Sequence, residues 1–290
     1  MSVQQKVTLA VGLVLLLVLL WRLMWLAVYG STQALTRLGA RLPHSRVWAR
    51  AHPIADYLAY RYPRSYGVVM RRIDPHSPSG LPMTLSVAAG LYVLLLIGGL
   101  IEELFEAEEI VAFDKAVNAY LDTLRASPFI DAFAWITTLG NSGTLVAVVL
   151  ASTGFLWAHQ RTYLIMPLWV TWIGAQATTY LGKFGIDRER PEFVTVVTAI
   201  TPSFPSGHAT GAMAVYGFVA YLIARELTGL RPRFEVVYWT VVVIGLVGFS
   251  RLYLSVHYAS DVAAGFLVGA FWILVGFVLA EARRHRQRTS

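Results

Sequence analysis

An all-α, polytopic membrane helix bundle is predicted by three observations. Of 290 residues, 56% are hydrophobic and only 14% charged, against roughly 25% charged in a soluble domain. Six or seven separate segments approach the ~20 apolar residues that carry a helix across a bilayer. The charges collect between those segments, with basic and acidic connections set apart from one another.

The apolar segments run over residues 7–29, 81–101, 144–158, 163–182, 208–227, 236–254 and 260–280, and the third can extend backwards through the stretch from Phe129. Lys6 followed by an apolar run resembles a signal peptide, but no convincing small-residue cleavage site follows, so a retained anchor is expected. Arg22, near the end of that run, would snorkel to the interface. The chain therefore divides into residues 1–80, an additional N-terminal hydrophobic segment with an arginine-rich cytoplasmic region, and residues 81–290, a six-helix membrane domain. No internal repeat or low-complexity stretch is visible.

Between residues 110 and 124, Ile110, Phe113, Val117, Tyr120, Leu121 and Leu124 recur at helical spacing, opposite Asp114, Lys115, Asn118 and Asp122. This pattern predicts a helix lying on the outer membrane surface, as a lid or packing element without chemistry of its own.

Loop charge sets the orientation. Residues 31–83 carry eight arginines (Arg37, Arg41, Arg46, Arg50, Arg61, Arg64, Arg71, Arg72) against Asp56 and Asp74, whereas 102–143 carry eight acids with only Lys115 and Arg125. Lys and Arg accumulate in cytoplasmic loops, so the first stretch faces the cytoplasm and the second faces outward. Counting onward, the turn at Arg161, residues 225–235 and the tail with Arg283, Arg284, Arg286 and Arg288 lie inside, and 183–207 and 251–260 lie outside. The net charge of +7 follows from this loop bias and gives no support to nucleic-acid binding; the expected partner is the bilayer. With no cysteine in the chain, disulfides, thiolate metal sites and a cysteine nucleophile are excluded.

Two outer loops depart from the charge rule. The first holds Lys183, Asp187, Arg188, Glu189, Arg190 and Pro191, and continues to Pro205, Ser206, Gly207 and His208 at the mouth of the next span. The second holds Ser250, Arg251, His257, Tyr258, Ser260 and Asp261. Three cations, two histidines and a carboxylate match the needs of phosphoryl transfer, in which charge on three equatorial oxygens is neutralised around an in-line nucleophile. Lys183, Arg190 and Arg251 can supply the neutralisation, and the backbone amides of Ser206 and Gly207 can add donors at a helix N-terminus. His257 and Asp261 stand four residues apart, so on one helix face the carboxylate can hold one ring nitrogen and leave the other free to attack. His208 is then the general acid for the leaving alkoxide. The reverse assignment stays open but is less favoured, since His208 has no carboxylate at matching spacing. Arg188, Arg225 and Arg231 are expected to snorkel and are left out of the site, and Asp187 and Glu189 are expected to pair with neighbouring cations.

These three blocks resemble the signature of the type 2 phosphatidic acid phosphatases, a superfamily that also includes vanadium haloperoxidases and certain bacterial acid phosphatases. Lys183, Arg190 and Pro191; Pro205 to His208; and Ser250, Arg251, His257 and Asp261 meet it without departure, at eleven positions. The resemblance covers residues 81–280 as a six-helix phosphatase core and is silent on residues 1–80. It implies phosphate binding by Lys183, Arg190, Ser206, Gly207 and Arg251, attack by His257 supported by Asp261, protonation by His208, and neither cofactor nor metal. The expected protein is an integral membrane lipid phosphatase of a bacterial inner membrane, its site facing the periplasm or exterior. A lipid phosphate or diphosphate of the undecaprenyl diphosphate, phosphatidylglycerophosphate or phosphatidate type would pass through a phosphohistidine. Phosphotransfer to another acceptor, or non-catalytic binding and transport of a lipid phosphate, are the alternatives; a haloperoxidase is disfavoured because the blocks sit among spanning helices.

Overall fold

The computed structural model describes residues 3–41, 46–75, 77, 80–106, 108–125, 127–191 and 201–289, and among them there is no strand. The chain divides into two compact units, Met1–Met70 and Arg71–Ser290. The first contains helix α1 (Val3–Arg41), α2 (Arg46–Arg61) and most of α3 (Pro63–Ile73). From Leu15 to Ala40, α1 is apolar enough to cross a membrane, and none of that stretch is buried within the protein.

The second unit comprises α4 (Leu81–Glu106), α5 (Glu108–Leu124), α6 (Ser127–Thr137), a 3-10 turn at Thr138–Gly140, α7 (Ser142–Ala158), a second 3-10 turn at Thr162–Leu164, α8 (Ile165–Ile186), α9 (Gly207–Glu226), α10 (Leu230–Tyr253) and α11 (Ala259–Thr289). By length and composition α1, α4, α9, α10 and α11 can span a bilayer, and the Phe129–Gly140 and Ser142–Ala158 pair, bent by 45°, makes a sixth. The backward extension towards Phe129 is therefore a separate, angled helix. The expected span at 163–182 becomes α8, which has 22 residues but is not among the helices apolar enough to count. Thr171, Gln176, Thr178 and Thr179 dilute its hydropathy, and Thr171 and Thr179 are buried, so these hydroxyls face protein. They are satisfied locally: Thr171 and Thr179 each donate to the carbonyl four residues back, at 2.8 Å.

Helix α9 is the centre of the bundle, with half of its apolar window buried, against 6% for the peripheral α4. Leu145, Val149 and Leu156 of α7, Leu168 of α8, and Val215, Phe218 and Leu222 of α9 form one buried cluster. Lipid and core are equally apolar, so helices in a bilayer are held by close backbone approach at small residues. On α11 a Cβ at Gly265 would lie 2.7 Å from the Ser206 carbonyl oxygen, and one at Gly269 would lie 2.6 Å from Met213 Cβ. This contact seats the start of α11 beside the start of α9, where the Ser206 amide donates to the Asp261 carbonyl at 3.0 Å.

At the opposite end of the unit, ion pairs join the remaining termini: Arg161 to Glu226 at 2.9 Å, Arg225 to Glu281 at 3.6 Å and Arg284 to Glu281 at 3.7 Å.

Candidate active site

Lys183 at the end of α8, His208 at the start of α9, Arg251 at the end of α10 and Asp261 at the start of α11 meet at one end of the bundle because consecutive helices run in opposite directions. Lys183, Arg190, Gly207, His208, Arg251 and His257 line one cavity of about 310 Å³, together with Asn141, Gln176, Thr179, Tyr180 and Thr201. Six of the eight residues singled out in the sequence thus converge. Ser206 and Asp261 lie behind the wall, both fully buried.

Among the described residues no carboxylate lines this cavity. Arg251 is only 2% exposed and Lys183 6%. Arg251 Nη1 donates to Thr137 Oγ1 at 2.7 Å, Lys183 Nζ donates to the Pro202 carbonyl, and Arg190 Nε donates to the Thr201 carbonyl at 2.8 Å. Among the described residues none of the three enters an ion pair. Arg251 Nε and Ser206 Oγ are buried without a hydrogen-bond partner. Buried charge outside any ion pair and buried polar atoms without partners are both costly, and an oxyanion in the cavity would offset the three cations. The expectation for Ser206 is corrected in kind: its amide is already committed to Asp261, and its hydroxyl is the unsatisfied group.

His257 sits in the short connection between α10 and α11, 3% exposed. Its Nε2 lies 3.2 Å from Arg190 Nη1, which can only donate. Nε2 is therefore the unprotonated nitrogen, and it faces the cavity. On the other side Nδ1 stands 3.6 Å from Asp261 Oδ2, too far for a hydrogen bond. Ser203 fills the gap, with its Oγ 3.3 Å from Nδ1 and donating to Asp261 Oδ2 at 2.5 Å. The direct histidine–carboxylate bond expected from the four-residue spacing is thus a contact through a hydroxyl. Burial holds the His257 pKa down to about 4, further aided by Arg251 and Arg190, and the nearby Asp261 carboxylate offsets this only in part.

His208 Nε2 donates to Asn141 Oδ1 at 2.7 Å. The 3-10 turn before α7 delivers Asn141, and it can approach because Gly140 has no side chain: a Cβ there would lie 2.7 Å from Val247 Cγ1 and 3.0 Å from His208 Cβ.

Two expectations fail around the site. Arg188 does not snorkel: it pairs with Asp261 Oδ1 at 2.6 Å and Asp114 Oδ2 at 2.7 Å, and stacks 4.4 Å from the Tyr258 ring centroid. Burial lowers its pKa, but the Asp261 charge and the hydrogen bonds to both carboxylates outweigh that and hold it above the ordinary arginine value. Asp187 and Glu189 form no ion pair among the described residues; Asp187 instead ends α8 in a left-handed conformation, φ 49°. Helix α5 seats a mixed face: Asp114 and Leu121 are buried, while Phe113, Tyr120 and Leu124 are 59%, 66% and 50% exposed, as are Lys115 and Asp122.

Sequence reasoning missed Thr137, Asn141, Ser203 and Asp114. Ser203 stands three residues before Ser206 in a recognised block and could have been found by proximity. Asp114, Thr137 and Asn141 lie outside every block, and only the packing of α5 and of the α6–α7 bend brings them in.

The family description "PAP2 superfamily" matches residues 164–285, the stretch that carries this cavity's cations and both histidines. Phosphatidylglycerophosphatase B of Bacillus subtilis is 30% identical over 178 residues, which are 60% of this chain and 87% of the relative. Undecaprenyl-diphosphatase BcrC of the same organism is 31% identical over 115 residues, 38% of this chain and 52% of the relative. The crystal structure of the transmembrane PAP2-type phosphatidylglycerolphosphate phosphatase of Bacillus subtilis superposes with a TM-score of 0.58 at 25% identity, covering 69% of this chain and 96% of that one. From the extent of the match to the first relative, together with the matched family stretch and the shared fold, this multi-pass membrane chain belongs to the PAP2 superfamily.

Proposed function

We propose that the protein is a membrane phosphatase that removes phosphate from a lipid phosphate or diphosphate, through a phosphohistidine on His257 and without a metal. The single observation that carries this reading is the cavity itself: among the described residues, three cations, no lining carboxylate, and two buried polar atoms left unpaired. A tetrahedral oxyanion is the ligand that completes such a set.

In this reading Lys183, Arg190, Arg251, Ser206 and Gly207 hold the phosphate. As Arg190 turns to the phosphate oxygens it releases His257 Nε2, whose lone pair attacks phosphorus while the bond to the leaving oxygen breaks. His208, drawn into its protonated form by the substrate's negative charge, gives its Nε2 proton to that oxygen. Water then attacks the phosphohistidine, His208 takes the water's proton, the N–P bond breaks and inorganic phosphate leaves. The three side-chain cations stand where a divalent ion would otherwise neutralise charge.

The site lies at the end of the bundle that also holds the acidic helix α5, opposite the end with Arg161, Arg225 and Arg284. The charge rule then turns the cavity away from the cytoplasm of a bacterial inner membrane, which suits outer-leaflet lipid phosphates and carrier-lipid diphosphates. The test is phosphate release by purified protein from a panel of phosphatidate, phosphatidylglycerophosphate and undecaprenyl diphosphate, with a chelator present. Release from at least one, unchanged by the chelator, is expected. No release from any, or release that depends on an added divalent ion, would overturn the proposal; a phosphorylated alcohol in place of free phosphate would point to transfer.

A further inference from the structure

Asp114 is a fully buried carboxylate outside every recognised block, on a helix with no place in the chemistry described above. It accepts the Ser260 amide at 3.0 Å, the Ser260 hydroxyl and Arg188 Nη2 at 2.7 Å. Arg188, 15% exposed along its side chain, reaches with its other terminal nitrogen to Asp261 Oδ1 at 2.6 Å. Asp261 Oδ2 is then left to accept from Ser203 and from the Tyr258 amide, the latter at 2.8 Å. Three named donors thereby hold both oxygens of Asp261, and Ser203 is aimed at His257 Nδ1.

We infer that Asp114 of α5 and Arg188 are positioning residues for the nucleophile: Asp114 locks the guanidinium, which fixes Asp261 and through Ser203 the orientation of His257. Neither residue lines the substrate cavity, so neither is catalytic. A guanidinium suits this place because its planar fork can bridge two carboxylates, which the single ammonium of lysine cannot do in the same geometry. The charge count agrees, since two buried carboxylates share one buried cation whose proton is held more tightly than usual. Helix α5 is further fastened to the same connection by Ser255 Oγ donating to Asn118 Oδ1 at 2.8 Å, Arg125 Nε donating to the Tyr253 carbonyl at 2.8 Å, and Tyr253 OH donating to the Leu124 carbonyl at 2.9 Å. Helix α5, with Phe113, Tyr120 and Leu124 outward, thus grips the loop that carries His257 and does more than cover it.

This inference rests on the proposed nucleophile, and the experiment separates the two. Steady-state kinetics on dioctanoyl phosphatidate in detergent micelles would compare wild type, His257→Ala, Arg188→Gln, Arg188→Lys, Asp114→Asn and the Asp114→Asn/Arg188→Gln double variant. Elution as a single folded species is checked for each. Second-layer partners that orient a catalytic group are worth about 10–100-fold, and loss of the orienting carboxylate itself up to about 10⁴-fold. We expect kcat to fall about 100-fold in Arg188→Gln, to a similar extent in Arg188→Lys, and about 10-fold in Asp114→Asn, with KM within about threefold of wild type in each. Because Asp114 acts through Arg188, the double variant should match Arg188→Gln within about threefold. Unchanged kcat in Arg188→Gln, a loss confined to KM, or single effects that simply multiply would overturn the inference while an inactive His257→Ala left the phosphatase reading intact. An active His257→Ala would overturn both. Should Asp114→Asn fail to fold, the kcat and KM of the two Arg188 variants decide alone.

Discussion

Replacing Arg251 with methionine should make the protein more stable and useless as a phosphatase. Arg251 is 2% exposed, its Nε has no partner, and its one side-chain hydrogen bond goes to Thr137 at 2.7 Å. Arg190 and Lys183 line the same cavity, and among the described residues Arg251 enters no ion pair. Burying an ion costs several kcal/mol after relaxation, and replacing a buried ion pair or triad by apolar side chains of similar volume is neutral or stabilises by about 1–4 kcal/mol in other proteins. Against this stands the Thr137 hydrogen bond, worth about 1 kcal/mol and up to about 3 if the hydroxyl stays unsatisfied. The net expectation for Arg251→Met is a gain of about 1 to 2 kcal/mol without ligand. With vanadate at about 100 times its Kd the order should reverse, because binding adds about 2.7 kcal/mol to the wild type and nothing to the variant. Thermal unfolding in detergent micelles, with and without vanadate, reads both effects. A variant less stable than wild type by more than about 1 kcal/mol in the absence of ligand would refute the claim that burial of the Arg251 charge is a net cost to the fold.

Three further outcomes follow from the same geometry. The folded pKa of His257 is about 4 against an ordinary 6.5, so as pH falls through this window the unfolded state takes up the proton first and stability is lost. Wild type should therefore lose about 3 kcal/mol more than His257→Gln between pH 7 and pH 4, and parallel curves in a pH series of unfolding would contradict it. In Gly140→Ala the new methyl would lie 2.7 Å from Val247 Cγ1 and 3.0 Å from His208 Cβ; we expect a loss of about 1–3 kcal/mol together with a lower kcat, and unaltered activity would remove Asn141 from the placement of His208. For sidedness, Lys115→Cys and Arg286→Cys both occupy exposed positions in a chain with no other cysteine. A membrane-impermeant maleimide applied to intact cells should label position 115 and spare 286, and the reverse pattern would place the cavity in the cytoplasm.

Helix existence was legible because apolar segments of bilayer length leave few other folds, and the boundaries at 81, 207 and 259 fall within a residue or so of the predicted ones. Helix α8 was legible by length and motif, although its buried threonines make it too polar to stand out by composition. The cavity's cations and histidines were legible because chemistry fixes their spacing inside short blocks. What was not legible is whatever depends on contact between distant segments. The stripe Asp114, Asn118 and Leu121 reads equally well facing water or facing protein, and only tertiary hydrogen bonds from Ser260, Ser255 and Arg188 decide. The spacing of His257 and Asp261 was read as direct contact; the helix begins at Ala259, leaving His257 in the preceding connection, so the gap of 3.6 Å is bridged by Ser203. Arg188 was set aside by a rule sound for isolated boundary arginines, a rule that fails where two buried carboxylates wait for one cation.

The central claim is that phosphate passes through His257, and the most direct measurement is identification of the phosphorylated residue. Rapid quenching of enzyme turning over radiolabelled phosphatidate, at alkaline pH where phosphohistidine survives, followed by peptide mapping, would locate the label. An acid-labile phosphate is expected on the peptide containing His257, absent in His257→Ala and accumulating in His208→Ala when a good leaving group is supplied. Label on His208, on another residue, or on none at a sensitivity of about one hundredth of the enzyme present would contradict it.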